Sequence, residues 1–136
     1  MSKIKHNYLK HDDFNQLINE LLNHEKVRSL NNYEQHLSTS RLEHSLNVAY
    51  FAYRLGRFSK LDLEGMVPAA LLHDFFLYNH RVEQPIPGNH LYVHPRMALE
   101  NAQSVMEISP LMENIILSHM WPFSDVKPAS KEAWLV

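Results

Sequence analysis

Apolar positions recur at helical spacing along most of the chain. Phe14, Leu17, Ile18, Leu21 and Leu22 fall at i, i+3, i+4, i+7 and i+8. Asp12 and Asp13 stand where acidic residues face the positive end of a helix. This pattern predicts a first helix running to about Leu30. Ser40-Arg41-Leu42-Glu43 is a capping box, with serine covering an orphan amide and glutamate reaching back. The residues that follow, from Leu42 and Leu46 to Tyr53 and Leu55, are apolar nearly all round, which places this second helix at the centre of the fold. Asp62 caps a third helix carrying Met66, Val67, Ala69 to Leu72, Phe75 and Phe76. Asn79 to His94, with Arg81, Pro85, Pro87 and Gly88, reads as an ordered, irregular loop. Pro95 suits the first position of a fourth helix reaching about Met106. Ser109-Pro110 starts a fifth, with Leu111, Ile115 and Ile116 inward, and Trp121-Pro122 ends it. Ser130 caps a last segment, Lys131 to Val136, that stops on an apolar pair without a C-cap and reads as a helix cut short. Three glycines and late-clustered prolines leave few hairpin turns. The expected fold is all-α, about five to six helices in one domain over residues 1–136.

Composition narrows the class. Hydrophobic residues make up 45% of 136 residues, an ordinary globular share and length enough for one core. A formal charge of -2 gives no bulk field for a polyanion, so neither a nucleic acid polymer nor a membrane surface is an expected partner. The absence of cysteine excludes a disulfide framework, a thiolate zinc site and thiol catalysis. No apolar run reaches the roughly 18 residues of a membrane span, and Met1-Ser2-Lys3-Ile4-Lys5-His6 has no signal-peptide core behind it. A cytoplasmic protein is expected.

Histidine changes the picture. Ten histidines stand against five aspartates, and histidine is the commonest metal ligand. His44, His73, Asp74, His94 and His119 lie in or beside the apolar helices, where an unpaired polar group costs several kcal/mol. His73 and Asp74 interrupt the most hydrophobic stretch, between Ala69-Ala70-Leu71-Leu72 and Phe75-Phe76. Taken singly, each histidine reads as a core side chain bonded to a carbonyl. The dipeptide alone is uninformative, since His11-Asp12 sits in a polar helix start. Four such histidines on or beside successive helices, with an embedded carboxylate, favour a shared cation.

Arg41-Leu42-Glu43-His44-Ser45-Leu46-Asn47-Val48-Ala49, then Ala70-Leu71-Leu72-His73-Asp74, then His90, His94-Pro95 and Ser118-His119, resemble the H…HD…H…H…D pattern of the HD superfamily of metal-dependent phosphohydrolases. The resemblance spans roughly residues 36–136 and implies an HD-like helical bundle. It implies that His44, His73 and Asp74 ligate a first divalent cation, and that Asp74 bridges to a second held by His94 and His119, with His90 alternative or supporting. Mixed nitrogen and oxygen ligands suit Mn, Fe, Ni, Co or Zn better than Mg. The family pattern ends in an aspartate that this chain lacks. Asp125 precedes the final helix and is a poor substitute, so the missing ligand is expected beyond Val136.

The candidate catalytic residues are Asp74, His73 and Arg41. Arg41, one turn before His44, together with His80 and Arg81, could meet a substrate phosphate. For Arg81 a solvated loop is the simpler reading. His36, Tyr50, Tyr53 and Tyr78 read as packing, Lys127 as plain surface, and Phe75, Phe76 and Leu77 as core. Trp121 and Phe123 either wall a pocket or seal the core. The expected activity is hydrolysis of a small phosphomonoester or nucleotide. The alternatives are a non-catalytic metal- or ligand-binding module, a di-iron oxygenase, and a purely structural helical domain.

Overall fold

Four hydroxyl or carboxylate caps start four of the helices. Ser40 Oγ accepts from the Glu43 amide, Asp62 Oδ1 from Gly65, Ser109 Oγ from Met112 and Ser130 Oγ from Ala133. The computed structural model describes residues 12–36, 39–79 and 88–136. His80 and Arg81 lie outside them, as does the side chain of His36. The helices are α1 (Asp12–Leu22), α2 (Glu25–Arg28), α3 (Arg41–Gly56), α4 (Leu63–Leu72), α5 (His90–Gln103), α6 (Pro110–Ser118) and α7 (Lys131–Leu135). The fold is all-α apart from one short hairpin.

The central pair is α3 against α4, with α1 and α6 also on α4, α5 on α6, and α7 on α6. The core joins Phe14 and Ile18 of α1, Leu46 and Ala49 of α3, Met66 to Leu72 of α4, and Ile115 and Ile116 of α6. Tyr50 and Tyr53 pack there as expected, their ring centroids 5.3 and 5.5 Å from Phe14. Among the described residues no helix is long and apolar enough to cross a membrane.

Four elements depart from the sequence reading. The first helix breaks after Leu22, because His24 Nδ1 accepts from the Lys26 amide and caps α2, and a 3-10 turn over Ser29–Asn32 follows. A two-stranded antiparallel hairpin, β1 (Glu34–His36) and β2 (Thr39–Ser40), leads into α3, although the chain lacks glycine turns there. The third helix stops at Leu72, short of Phe75 and Phe76. His73 Nδ1, 2.6 Å from the Ala70 carbonyl, takes the acceptor that the Asp74 amide would use to extend the helix. Beyond the break the chain's carbonyls are satisfied by side chains from elsewhere: Phe75 by Asn101 Nδ2, Phe76 and Tyr78 by Arg41 Nη1, and Leu77 by the Tyr33 hydroxyl. The fourth helix begins at His90, capped by Asn89, so Pro95 lies inside it and His94 is a turn in from its start.

The last helix forms as expected but is packed differently. Ala133 is buried and Val136 packs on the core, whereas Trp134 and Leu135 are exposed. Glu132 Oε2 accepts the Asp62 amide at 2.9 Å, tying α7 to the cap of α4.

Candidate metal centre

The end of α4 delivers the site. His73 is its C-cap residue, and Asp74 follows in the turn that breaks the helix. His44 lies one turn into α3, His94 one turn into α5, and His119 caps the end of α6. The two central residues, with His94, are almost fully buried; His44 is the most open of the set, its side chain 25% exposed.

The Asp74 carboxylate stands at the middle. Oδ2 lies 3.2 Å from His73 Nε2 and 3.5 Å from His44 Nε2, while Oδ1 lies 3.1 Å from His119 Nε2 and 3.4 Å from His94 Nε2. Two groups able to hold a metal ion result, His44–His73–Asp74 and Asp74–His94–His119, with Asp74 common to both.

Three of the rings are oriented from behind. His73 Nδ1 lies 2.6 Å from the Ala70 carbonyl, His94 Nδ1 2.7 Å from that of His90, and His119 Nδ1 2.7 Å from that of Ile116. A carbonyl only accepts, so each Nδ1 carries the proton and donates. In the neutral imidazole this leaves Nε2 as a bare lone pair pointing at the carboxylate. The Nε2 atoms of His94 and His119 are 2.9 Å apart and, in those tautomers, have no proton to share. Converging lone pairs around a carboxylate are the donor set of a cation site, and neutral imidazoles fixed by a second hydrogen bond are how metal-binding histidines are usually held. The residues fit a divalent cation.

Electrostatics agree. Without a cation the rings can instead take a second proton on Nε2 and donate it to Asp74: burial pushes the Asp74 carboxyl up, but the charge on such a His73 and the hydrogen bonds from His119, His44 and His73 outweigh it and hold the group well below the usual carboxylate range. Asp74 is therefore an anion in the interior, which needs positive charge beside it.

Residues 41–136 match the family model described as the HD domain. The chain belongs to the HD-domain family. The match begins at Arg41, within the hairpin-to-α3 junction, and takes in every member of the cluster. No curated protein and no solved structure gave a match.

Within the HD domain the other candidates separate. His90 is outside both groups: its Nδ1 bonds the Tyr78 hydroxyl at 3.0 Å, and its ring stacks on His94 at 4.5 Å. It supports His94. Arg41 turns its guanidinium into the protein. It is 1% exposed, with Nη1 donating to the Phe76 and Tyr78 carbonyls and its charge stacked 3.6 Å over the Phe76 ring. Burial lowers its pKa to about 10, and it bridges α3 to the chain leaving the site. Asp125 is on the surface, paired with Arg96 at 2.8 Å, and takes no part in the cluster. Trp121 and Phe123 are exposed, so they do not seal the core. Lys127 is exposed surface. Phe75 and Phe76 are buried, and Phe76 packs 5.2 Å from both the His90 and His94 rings.

One residue at the site has no sequence signal: Gln35 Nε2 donates to Asp74 Oδ2 at 3.3 Å from the β hairpin. A glutamine among polar residues ahead of a helix gives no reason to place it against a buried aspartate.

Proposed function

We propose that this HD domain is a metal-dependent phosphohydrolase of a small phosphomonoester or nucleotide. The observation that carries the reading is the division of Asp74 between two histidine groups, Oδ2 toward His44 and His73 and Oδ1 toward His94 and His119. Family membership supports the same class, although a fold by itself does not fix a reaction.

In this reading His44, His73 and Asp74 hold one divalent cation, and Asp74, His94 and His119 a second. Such cations, when bound, polarise phosphoryl oxygens and make water a stronger nucleophile at neutral pH. The carbonyls of Ala70, His90 and Ile116 keep three rings in the ligating tautomer. The buried Phe76 shields the His94 side from water, and substrate enters on the more open side, beside His44. The partner is a small phosphorylated molecule rather than a nucleic acid polymer, and the setting is cytoplasmic.

A second reading, a non-catalytic cation-binding module, is favoured by one observation: among the described residues both groups draw on a single carboxylate. The two separate in one experiment. Purified protein is analysed for metal, then assayed with Mn, Co, Ni, Zn and Mg on p-nitrophenyl phosphate and nucleoside monophosphates. Phosphate release that needs the cation and fails in Asp74→Asn supports the hydrolase. A bound cation with no turnover on any phosphoester leaves the binding module.

A further inference from the structure

Gln35 reaches Asp74 because the hairpin is irregular. Glu34 pairs with Ser40 and His36 with Thr39, so β1 spends one residue more than β2 between the two pairs, and that residue is Gln35. A bulge of this kind re-aims a side chain out of the ordinary alternation of a strand. Strand β2 then runs directly into α3, whose first residue is Arg41, and the Arg41 amide donates to the Tyr33 carbonyl at 2.7 Å. Gln35 is thereby held between Arg41 and Asp74.

The chemistry of those two neighbours fixes its amide. Arg41 Nε donates to Gln35 Oε1 at 3.2 Å, and guanidinium has no acceptor to offer. The oxygen of Gln35 must face Arg41, so its NH2 must face Asp74 Oδ2. Arg41 is in turn immobilised by two backbone carbonyls and two aromatic rings. A carboxylate by itself turns freely about its last torsion, which is broad and nearly two-fold.

We propose that Gln35, locked by Arg41, is a positioning residue that fixes the rotation of the Asp74 carboxylate so that one oxygen serves each histidine group. It rests on the metal-centre reading above and adds the device that makes the centre two-sided. The glutamine acts through Asp74.

The test is titration of the full chain with Mn2+, by calorimetry and by electron paramagnetic resonance, in the parent and in two variants. Gln35→Met removes both bonds and risks loosening Arg41. Gln35→Glu keeps an oxygen for Arg41 and removes only the donor to Asp74, so it separates positioning from support. Thermal melting of Gln35→Glu should stay near that of the parent. Both variants should bind the second Mn2+ roughly 10- to 100-fold more weakly, the usual cost of losing an outer partner of a ligand, and spin coupling between two ions should give way to a mononuclear signal. Added negative charge alone would tighten cation binding, so weakening in Gln35→Glu reports lost orientation. Unchanged or tighter binding in Gln35→Glu, with the parent loading two ions, overturns the role of Gln35 and leaves the metal centre standing. A parent that binds no Mn2+, Zn2+ or Co2+ overturns both.

Discussion

His94 and His119 face each other through their Nε2 atoms at 2.9 Å, while both Nδ1 atoms are engaged by carbonyls of their own helices. Two neutral rings so arranged repel, and a cation between them and Asp74 converts that repulsion into ligation. His119→Ala should lower the metal content of purified protein by one ion per chain with far-ultraviolet circular dichroism unchanged. Metal analysis and dichroism on the same sample check it; equal stoichiometry in parent and variant would falsify a second cation at this pair.

Asp74 belongs to both groups, so its loss should not resemble the loss of one histidine. Asp74→Asn removes the one carboxylate that the two groups contain among the described residues. Affinity at both groups should fall by at least about 100-fold, the upper end of what an outer-partner change costs. If one ion is retained at parental affinity, the carboxylate is not shared.

Arg41→Lys tests the assignment of Arg41 as a strut. Lysine cannot reproduce a planar fork that reaches two carbonyls while stacking on a ring. Leaving buried carbonyls without a donor costs about 1–3 kcal/mol, so chemical denaturation without substrate should show that loss. A variant as stable as the parent, with a raised KM, would restore the substrate-contact role.

The same residue shows how far the sequence could be read. The helix starts were legible because a cap is a local event: Ser40, Asp62, Ser109 and Ser130 each bond the amide three residues ahead. The convergence of His44, His73, Asp74, His94 and His119 was legible because polar groups in apolar helices need a common partner. What stayed hidden is tertiary. The path of the chain beyond Leu72 is held by donors from Tyr33, Arg41 and Asn101, and an arginine one turn before a ligand looks the same in sequence whether it meets phosphate or carbonyls. The start of α5 was hidden by Pro95, which marks a first turn by preference and here lies deeper.

Glu132 supplies a pH signature away from the site. Accepting the Asp62 amide holds its carboxyl below the ordinary value of 4.5. A lowered folded-state pKa means that the contribution is present above the unfolded pKa and is lost as pH falls through the folded one. The group is close to the surface, so the gain is small, under about 1 kcal/mol. Glu132→Ala should melt slightly below the parent at pH 7, and the gap should close as pH falls through and below the ordinary glutamate range. A gap that persists at low pH would assign the effect to packing of α7 rather than to the charge.

Because each of three ligand rings hangs from a carbonyl three or four residues back on its own helix, the ring moves with that helix as one rigid piece. The spacing of the Nε2 atoms is therefore a caliper on the bundle, and a shift of α6 against α4 reaches the centre undiminished. Core damage far from the ligands should register there first. Phe14→Ala, which empties a fully buried position on α1 at a cost of about 3–5 kcal/mol, should weaken cation binding under conditions where the variant is still fully folded. Calorimetric titration beside a denaturation curve would show it. Conversely, a cation gripped by α3, the end of α4, α5 and the end of α6 staples segments that lie from residue 44 to residue 119. Occupancy of the centre and closure of the fold are then one equilibrium seen from two ends.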